Sequence, residues 1–180
     1  MIERGGGGGG EVFVIDTSSV IEVRRLMSQE RTTNVTAVYT QLIRLAKAET
    51  LRFPRGVIDE IRAGASAITR GPDQANDWAI ACERDAVPHH ELLDETKRVL
   101  AEVPDLLDAN KPSSTDEADP YVVALALKLT NAGTTVTVIT DERRDTPDKT
   151  SMGSPCGVMR IPAVSMRVFL ARRRIWPAPA

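Results

Sequence analysis

The chain has 180 residues, of which 42% are hydrophobic and 27% are charged, and its formal net charge is -2 at pH 7. This length suits one domain with a full hydrophobic core, and the composition excludes disorder of the whole chain. A charge so near zero excludes a global basic field for nucleic acids, so RNA contacts must use a local patch. Four arginines form the candidate patch on a predicted final helix, which is equally typical of a solvated helix face: Arg167, Arg172, Arg173 and Arg174.

Two further features bear on where the protein is found. Its two cysteines, Cys82 and Cys156, match neither a disulfide framework nor a zinc-ligand spacing, which predicts a reducing, cytoplasmic setting. No run approaches the roughly 20 apolar residues that cross a bilayer, and the N-terminus lacks the apolar run of a signal peptide. We therefore expect a cytoplasmic protein that is not inserted in a membrane.

The chain is predicted to open with a disordered segment, residues 1–10. Gly5 to Gly10 is an unbroken glycine run, which is typical of a flexible tether. It lacks the Lys-Ser/Thr ending of a phosphate-binding loop, so it is expected to carry no chemistry. Residues 11–180 are predicted to form a single domain.

The apolar run Val12 to Ile15 predicts a first strand buried on both faces, which Asp16 ends. Ser18 or Ser19 is expected to cap the helix that follows. The apolar side of that helix is predicted to consist of Val20, Ile21 and Leu26.

The middle of the chain is predicted to be mostly helical. Helical spacing of apolar residues predicts four helices, with a short strand between the first and the second. The second helix is expected to open at a proline and to end at a glycine. In chain order the predicted elements are helix Val35 to Ala48, strand Leu51 to Phe53, helix Pro54 to Gly64, helix Gln74 to Arg84 and helix His90 to Val103.

The last third alternates strands and helices again. Ser114 is expected to cap a helix that has an acidic first turn and runs through Leu129. Thr135 to Thr140 is predicted to be a buried strand, followed by a polar loop to about Gly157. A weaker strand at Val158 to Ile161 and a last helix from about Val164 are then predicted. The alternation predicts an α/β fold of three layers, α/β/α, around a central, mainly parallel sheet of four to five strands.

Four acidic residues, each beside an apolar segment, form the candidate site: Asp16 after the first strand, Glu60 in VIDEI, Asp119 in DEADPYVVALAL and Asp141 in VITDE. In a parallel sheet the crevice lies at the carboxyl ends of the strands, where two of them are predicted. Carboxylates are rarely buried unless they are paired or bound to metal, and hard oxygen ligands favour Mg²⁺ or Mn²⁺ over zinc. Each signal alone is weak, since an acid after a buried strand also occurs in phosphatases, receivers and dinucleotide-binding folds, and an acidic first turn is usually helix capping.

Four segments together resemble the PIN-domain nucleases, including toxins of the VapC type: VFVIDTSSVIE, PRGVIDEIRAG, DEADPYVVALALKL and TVTVITDE. The resemblance covers about Glu11 to Asp145. It implies a PIN-like fold and an endoribonuclease that hydrolyses RNA phosphodiester bonds with Mg²⁺ or Mn²⁺. By position, the implied catalytic quartet is Asp16, Glu60, Asp119 and Asp141, with Asp16, Asp119 and Asp141 as metal ligands and Thr17 and Ser18 lining the same turn.

The resemblance leaves the fourth acid open between Asp141 and Glu142, because many members carry it two residues after the strand-ending threonine. It also implies an RNA substrate, a separate antitoxin protein as partner and a homodimer. The alternatives are a catalytically silent PIN-like module that binds RNA or protein, and a housekeeping RNA-processing nuclease. A haloacid-dehalogenase-type phosphatase is disfavoured, since that family has a second aspartate where this chain has Ser18.

Neighbouring polar and aromatic residues are predicted to be structural. Asp59 is expected to face solvent on the opposite side of its helix from Glu60, and Asp116 is expected to cap its helix. Asp145 is predicted to be exposed in a loop, and the pair His89 and His90 is predicted to have a surface or capping role. Trp78 is predicted to lie in the core.

Overall fold

The structure is a computed structural model that describes residues 10–65, 73–107, 117–142, 145 and 150–177. Its strands are β1 (Val12–Ile15), β2 (Leu51–Arg52), β3 (Val136–Ile139) and β4 (Ala163–Val164). Its helices are α1 (Thr17–Leu26), α2 (Thr32–Lys47), α3 (Arg55–Ala65), α4 (Gln74–Cys82), α5 (Leu93–Glu102), α6 (Ala118–Asn131), α7 (Gly153–Val158) and α8 (Met166–Arg172). Nearly all of the N-terminal segment predicted to be disordered, and the predicted caps Ser114 and Asp116, lie outside the described residues.

A four-stranded parallel sheet in the order β2-β1-β3-β4 forms the centre of the fold. The two middle strands are in direct register, with Ile15 opposite Ile139, and helices flank the sheet. Parallel neighbours need crossover connections, and helices supply them. The predicted α/β class, with a central parallel sheet in a three-layer arrangement, is confirmed.

The hydrophobic core lies on the sheet and under the flanking helices. Val14 and Val138 are fully buried in the middle strands because both faces of these strands are covered: β1 is a continuous apolar run, and β3 also buries Thr137. Trp78 is also fully buried and packs edge-on against Phe53, with the ring centroids 4.9 Å apart. The predicted core position of Trp78 is confirmed.

The start of α1 differs from the prediction. The helix begins at Thr17, and its N-cap is Asp16, whose side chain accepts a hydrogen bond from the backbone N–H of Ser19. Neither Ser18 nor Ser19 is the cap. The buried side is also rotated, because Val23 packs inward while Ile21 is 53% exposed.

Three predicted boundaries in the middle of the chain were wrong. Helix α3 continues through Gly64, which is therefore not its C-cap. The helix predicted to reach Arg84 ends at Cys82 and passes into a 3-10 turn, and the helix predicted from His90 begins at Leu93, after another such turn. Helix ends fray into 3-10 turns without a sequence signal strong enough to place them.

The largest correction concerns the segment after β3. The loop predicted to reach Gly157 contains α7, although glycine and proline disfavour helix there. Burial of Met152 and Cys156 accounts for this, because tertiary packing overrides weak helix propensity. The last strand is Ala163–Val164 rather than Val158 to Ile161, since the amide of Thr140 binds the carbonyl of Val164.

Helices α3 and α6 approach each other closely at Gly56. A Cβ atom at this position would lie 3.1 Å from Cα of Ala118 and 3.2 Å from both its Cβ and Nε2 of His89. The nearest of these atoms is backbone in the first turn of α6, so it does not yield as a flexible side chain would. The contact fixes the distance between the two helices.

We predict that Gly56→Ala destabilises the fold by about 1–3 kcal/mol, because overpacking outweighs the better helix propensity of alanine. Gly64→Ala is the matched control on the same helix, where a Cβ meets nothing within 4 Å. It should stabilise the protein by about 0.5–1 kcal/mol. Urea unfolding of both variants measures the difference, and equal stability would contradict the close contact of α3 with α6.

Candidate functional site

Two of the four predicted acids follow adjacent strands at one edge of the sheet. Asp16 comes directly after β1, and Asp141 comes two residues after the end of β3. Because β1 and β3 are parallel and in direct register, both acids emerge at the carboxyl edge. Ligand sites of parallel sheets form at this edge.

Asp16 is a buried carboxylate, 1% exposed. Its Oδ1 accepts from the backbone N–H of Ser19 at 2.7 Å and its Oδ2 accepts from the Ser18 hydroxyl at 2.9 Å. Burial raises the pKa of Asp16 to about 6, although hydrogen bonds from Thr140, Ser19 and Ser18 act to lower it. Hydrogen bonding therefore compensates only part of the cost of burying this charge.

Ser19 links Asp16 to Asp141. Its backbone N–H binds Asp16, and its hydroxyl donates to Oδ2 of Asp141 at 2.9 Å. The same oxygen accepts from the backbone N–H of Met166, the first residue of α8, also at 2.9 Å. Glu142 is placed differently, since its Oε2 accepts from the N–H of Met152 at 3.2 Å, next to α7. Of the two candidates for the fourth acid, it is Asp141 that is linked to Asp16.

Glu60 connects the first turns of two helices. Its Oε2 accepts from the hydroxyl of Thr17 at 2.5 Å, and its Oε1 accepts from the backbone N–H of Ala118 at 3.1 Å. Asp119 is the next residue of α6 and is half-buried. Glu60 is thus tied to the residue after Asp16 and to the residue before Asp119, and the backbone of α6 brings Asp119 to this group.

The donor chemistry suits a hard cation, but the side chains do not form a closed cage. Within residues 10–65, 73–107, 117–142, 145 and 150–177, no three histidine, cysteine, aspartate or glutamate side chains converge closely enough to hold one metal ion. Mg²⁺ commonly binds through one or two carboxylates and completes its shell with water and substrate phosphate. The pair Asp16 and Asp141, supplying oxygen ligands only, fits that mode of binding.

Sequence reasoning missed three residues of this region. Ser19 was considered only as a helix cap. Glu117 is the buried N-cap of α6, and the acidic run that contains it was the only signal. Cys156 is buried on α7, where burial and the charge of Asp16 raise the pKa of the thiol to about 12. No pattern could place Cys156 here, because α7 itself was not predicted.

Most of the residues for which a structural role was predicted have such a role. Asp59 is exposed and its carboxylate pairs with Arg55 at 2.9 Å. Asp145 is exposed and accepts from the N–H of Ser151, which lowers its pKa. His90 is at the surface, but His89 is half-buried and stacks on Tyr121 with the ring centroids 4.1 Å apart. The surface or capping role predicted for His89 was therefore wrong.

The predicted basic patch is divided along α8. All four arginines are exposed, but Arg167 lies in the first turn, directly after Met166, and Arg173 follows the last turn. Six residues of helix span roughly 9 Å. Arg173 also stands over the ring of Phe13, 5.9 Å from its centroid. Of the four, Arg167 is the one placed beside Asp141.

A cavity of about 480 Å³ beside β2 does not coincide with the acids. Four of its charged side chains already have partners. Lys47 binds Asp85 at 2.6 Å, and Arg52 binds Glu49 at 3.2 Å. This cavity is therefore a weaker candidate for chemistry than the carboxyl edge of the sheet.

The fold and the site together define an α/β protein with acidic side chains grouped at the carboxyl edge of a parallel sheet. The chain belongs to a family described as a domain of unknown function, DUF4411, whose model matches residues 13–176. The match includes all four acids and Ser19. Comparison with curated proteins and with solved structures gave no match.

None of the helices in the described part of the chain is both long enough and apolar enough to cross a bilayer. Both cysteines are free thiols in the interior.

Asp16 makes the stability of the protein depend on pH. Burial raises its pKa from the ordinary value of 3.8 to about 6 in the folded chain, so the folded state holds this proton more tightly. The contribution of Asp16 to the free energy of unfolding is greatest below about pH 4 and is lost as the pH rises through about 6. Asp16→Asn retains a capping side chain but does not titrate.

We predict that Asp16→Asn gains stability relative to the wild type between pH 4 and pH 7, by up to about 3 kcal/mol. Urea unfolding of both proteins in the same EDTA-containing buffers measures this, because the other titrating groups then cancel in the difference. A difference that stays constant over this range would show that Asp16 is not protonated more readily in the folded state.

Proposed function

We propose that the protein is a Mg²⁺- or Mn²⁺-dependent endoribonuclease of the PIN type, which hydrolyses RNA phosphodiester bonds. The observation that carries this proposal is the buried carboxylate of Asp16, linked through Ser19 to Asp141 at the end of the adjacent strand. The resemblance of the four acidic segments to PIN-domain nucleases supports the same function.

A divalent cation is the ligand best suited to the pair Asp16 and Asp141. Two carboxylates near each other in a poorly solvated site repel, and buried charges are stable only when they are paired or bound to metal. Burial raises the pKa of Asp16, which reflects the cost of keeping its carboxylate charged away from water. A divalent cation between Asp16 and Asp141 would remove it, since a bound ion is the largest charge in such a site.

The other two acids have distinct roles in the proposal. Asp119, in the first turn of α6, would contact the cation through a bound water, since no three such side chains among the described residues converge on one ion. Glu60, held on one side by Thr17 and on the other by Ala118, would orient the attacking water. The bound cation would supply a lower pKa for that water and neutralise charge on the phosphate.

The local charge supports an anionic substrate despite the overall charge of -2. Arg167 is exposed and directly follows Met166, whose amide binds Asp141. Guanidinium groups bind phosphate oxygens well, so Arg167 is a candidate contact for the RNA backbone.

We further propose that this nuclease is the toxin of a toxin-antitoxin pair, works as a homodimer and is restrained by a separate antitoxin protein in the cytoplasm. The resemblance to VapC-type toxins is the main support.

The nuclease proposal predicts that wild-type protein cleaves structured RNA in Mn²⁺ and that Asp16→Asn cleaves it at least about 100-fold more slowly. Asp59→Asn is the matched control, since Asp59 is exposed and pairs with Arg55. It should stay within about twofold of the wild type, because an exposed ion pair contributes little. Single-turnover cleavage of end-labelled RNA, with EDTA as the metal-free reference, gives the rates.

One observation favours a second candidate, a catalytically silent module that binds RNA or protein. Asp16, Glu60 and Asp141 each already accept a backbone N–H at the start of a helix, which by itself is a structural role. Equal and metal-independent RNA degradation by wild type and Asp16→Asn would indicate a contaminant and support this candidate.

The toxin role predicts a separate result in cells. Induction of the wild-type chain alone should slow growth, and induction of Asp16→Asn at the same level should not. Co-expression of the short reading frame next to the gene should restore growth. Cleavage in vitro without any effect on growth would favour the housekeeping nuclease.

A further inference from the structure

Ser19 is a buried polar residue that donates one hydrogen bond from its backbone N–H and one from its hydroxyl, each to an acid of the site. It is 0% exposed and lies three residues after Asp16, in the first turn of α1. Its backbone N–H binds Asp16, and its hydroxyl reaches Asp141, 122 positions further along the chain. One small side chain thus joins the two strand ends that carry the proposed cation ligands.

The hydroxyl does not follow the usual behaviour of serine in a helix. Such a hydroxyl commonly donates to the backbone carbonyl of the preceding turn. Ser19 instead donates its one hydroxyl proton to Oδ2 of Asp141, at 2.9 Å. A contact kept across two elements of the fold fixes the Asp141 carboxylate relative to α1.

The neighbouring serine provides the comparison within the same turn. The Ser18 hydroxyl also donates to a carboxylate, but it contacts Asp16 and lies on an exposed residue. Ser18 therefore orients one acid, whereas Ser19 sets the position of one acid against the other. The N–H of Met166 holds Asp141 from the side of α8, so the two donors together define where Oδ2 lies.

We propose that Ser19 is a positioning residue for the cation site, which fixes Asp141 beside Asp16 so that both carboxylates ligate the same metal ion. This inference rests on the proposed metal-dependent function. Ser19 itself does not touch the cation or the RNA. Hydrogen bonds of this kind orient ligating carboxylates, and their loss typically lowers metal affinity by about 10–100-fold.

The test is Mn²⁺ affinity without RNA, measured from the free-ion EPR signal during titration of the protein. Ser19→Ala should weaken Mn²⁺ binding by about 10-fold or more. In an Asp141→Ala background the same change should alter the affinity by less than about twofold, because the group through which Ser19 acts is absent. Ser165→Ala is the matched control, since it removes a hydroxyl that caps α8 but leaves the bond between Ser19 and Asp141.

Each outcome supports or overturns a separate statement. Unchanged affinity of Ser19→Ala overturns the positioning role and leaves the nuclease proposal standing. Equal losses in the wild-type and Asp141→Ala backgrounds show that Ser19 does not act through Asp141, which also overturns it. A wild-type protein that binds no Mn²⁺ overturns the proposed function and this inference with it. If circular dichroism shows that Ser19→Ala does not fold, Ser19→Cys replaces it; because a thiol is only a weak donor, Mn²⁺ affinity should still fall, and an affinity equal to that of the wild type overturns the positioning role.

Discussion

The bond between a carboxylate and the free amide at a helix start is the interaction on which this structure depends. The first amides of a helix have no partner within it, and an acid nearby satisfies them and favours the helix dipole. Four helices near the carboxyl edge of the sheet use it, through the pairs Asp16 with Ser19, Glu60 with Ala118, Asp141 with Met166, and Glu142 with Met152. These bonds hold the helices against the sheet edge, and they also gather acids there.

The same bonds account for the chemical character of the site. A carboxylate that caps a helix at the surface remains solvated, but Asp16 is enclosed by β1, β3 and α1, and burial raises its pKa to about 6. The fold therefore retains a charge that its own hydrogen bonds stabilise only in part. A divalent cation is the simplest group that would neutralise the remaining charge, which is why the helix-capping acids and the proposed metal site share the same residues.

Membership of the DUF4411 family does not by itself imply an activity, so function must be argued from the site. The residues of the candidate site lie at one edge of the sheet. Acids, Ser19 and Arg167 lie at the carboxyl edge, whereas Arg173 lies at the other end of α8, over Phe13. Gly56 keeps α3 close to α6, and through Glu60 this contact determines how near the first turn of α6 comes to Thr17.

The sequence by itself determined the α/β class, the two middle strands and the acids, because the apolar run Val12 to Ile15 before Asp16 and the concentration of Val and Ile in Thr135 to Thr140 are local patterns that predict buried strands. It could not determine that Asp16 caps α1 or that Ser19 reaches Asp141, since that bond joins residues 122 positions apart. It also missed α7 and misplaced β4, where glycine and proline disfavour regular structure locally. Only tertiary packing, which buries Met152 and Cys156 and pairs β4 with β3, decided those elements, because burial free energy exceeds weak local propensity.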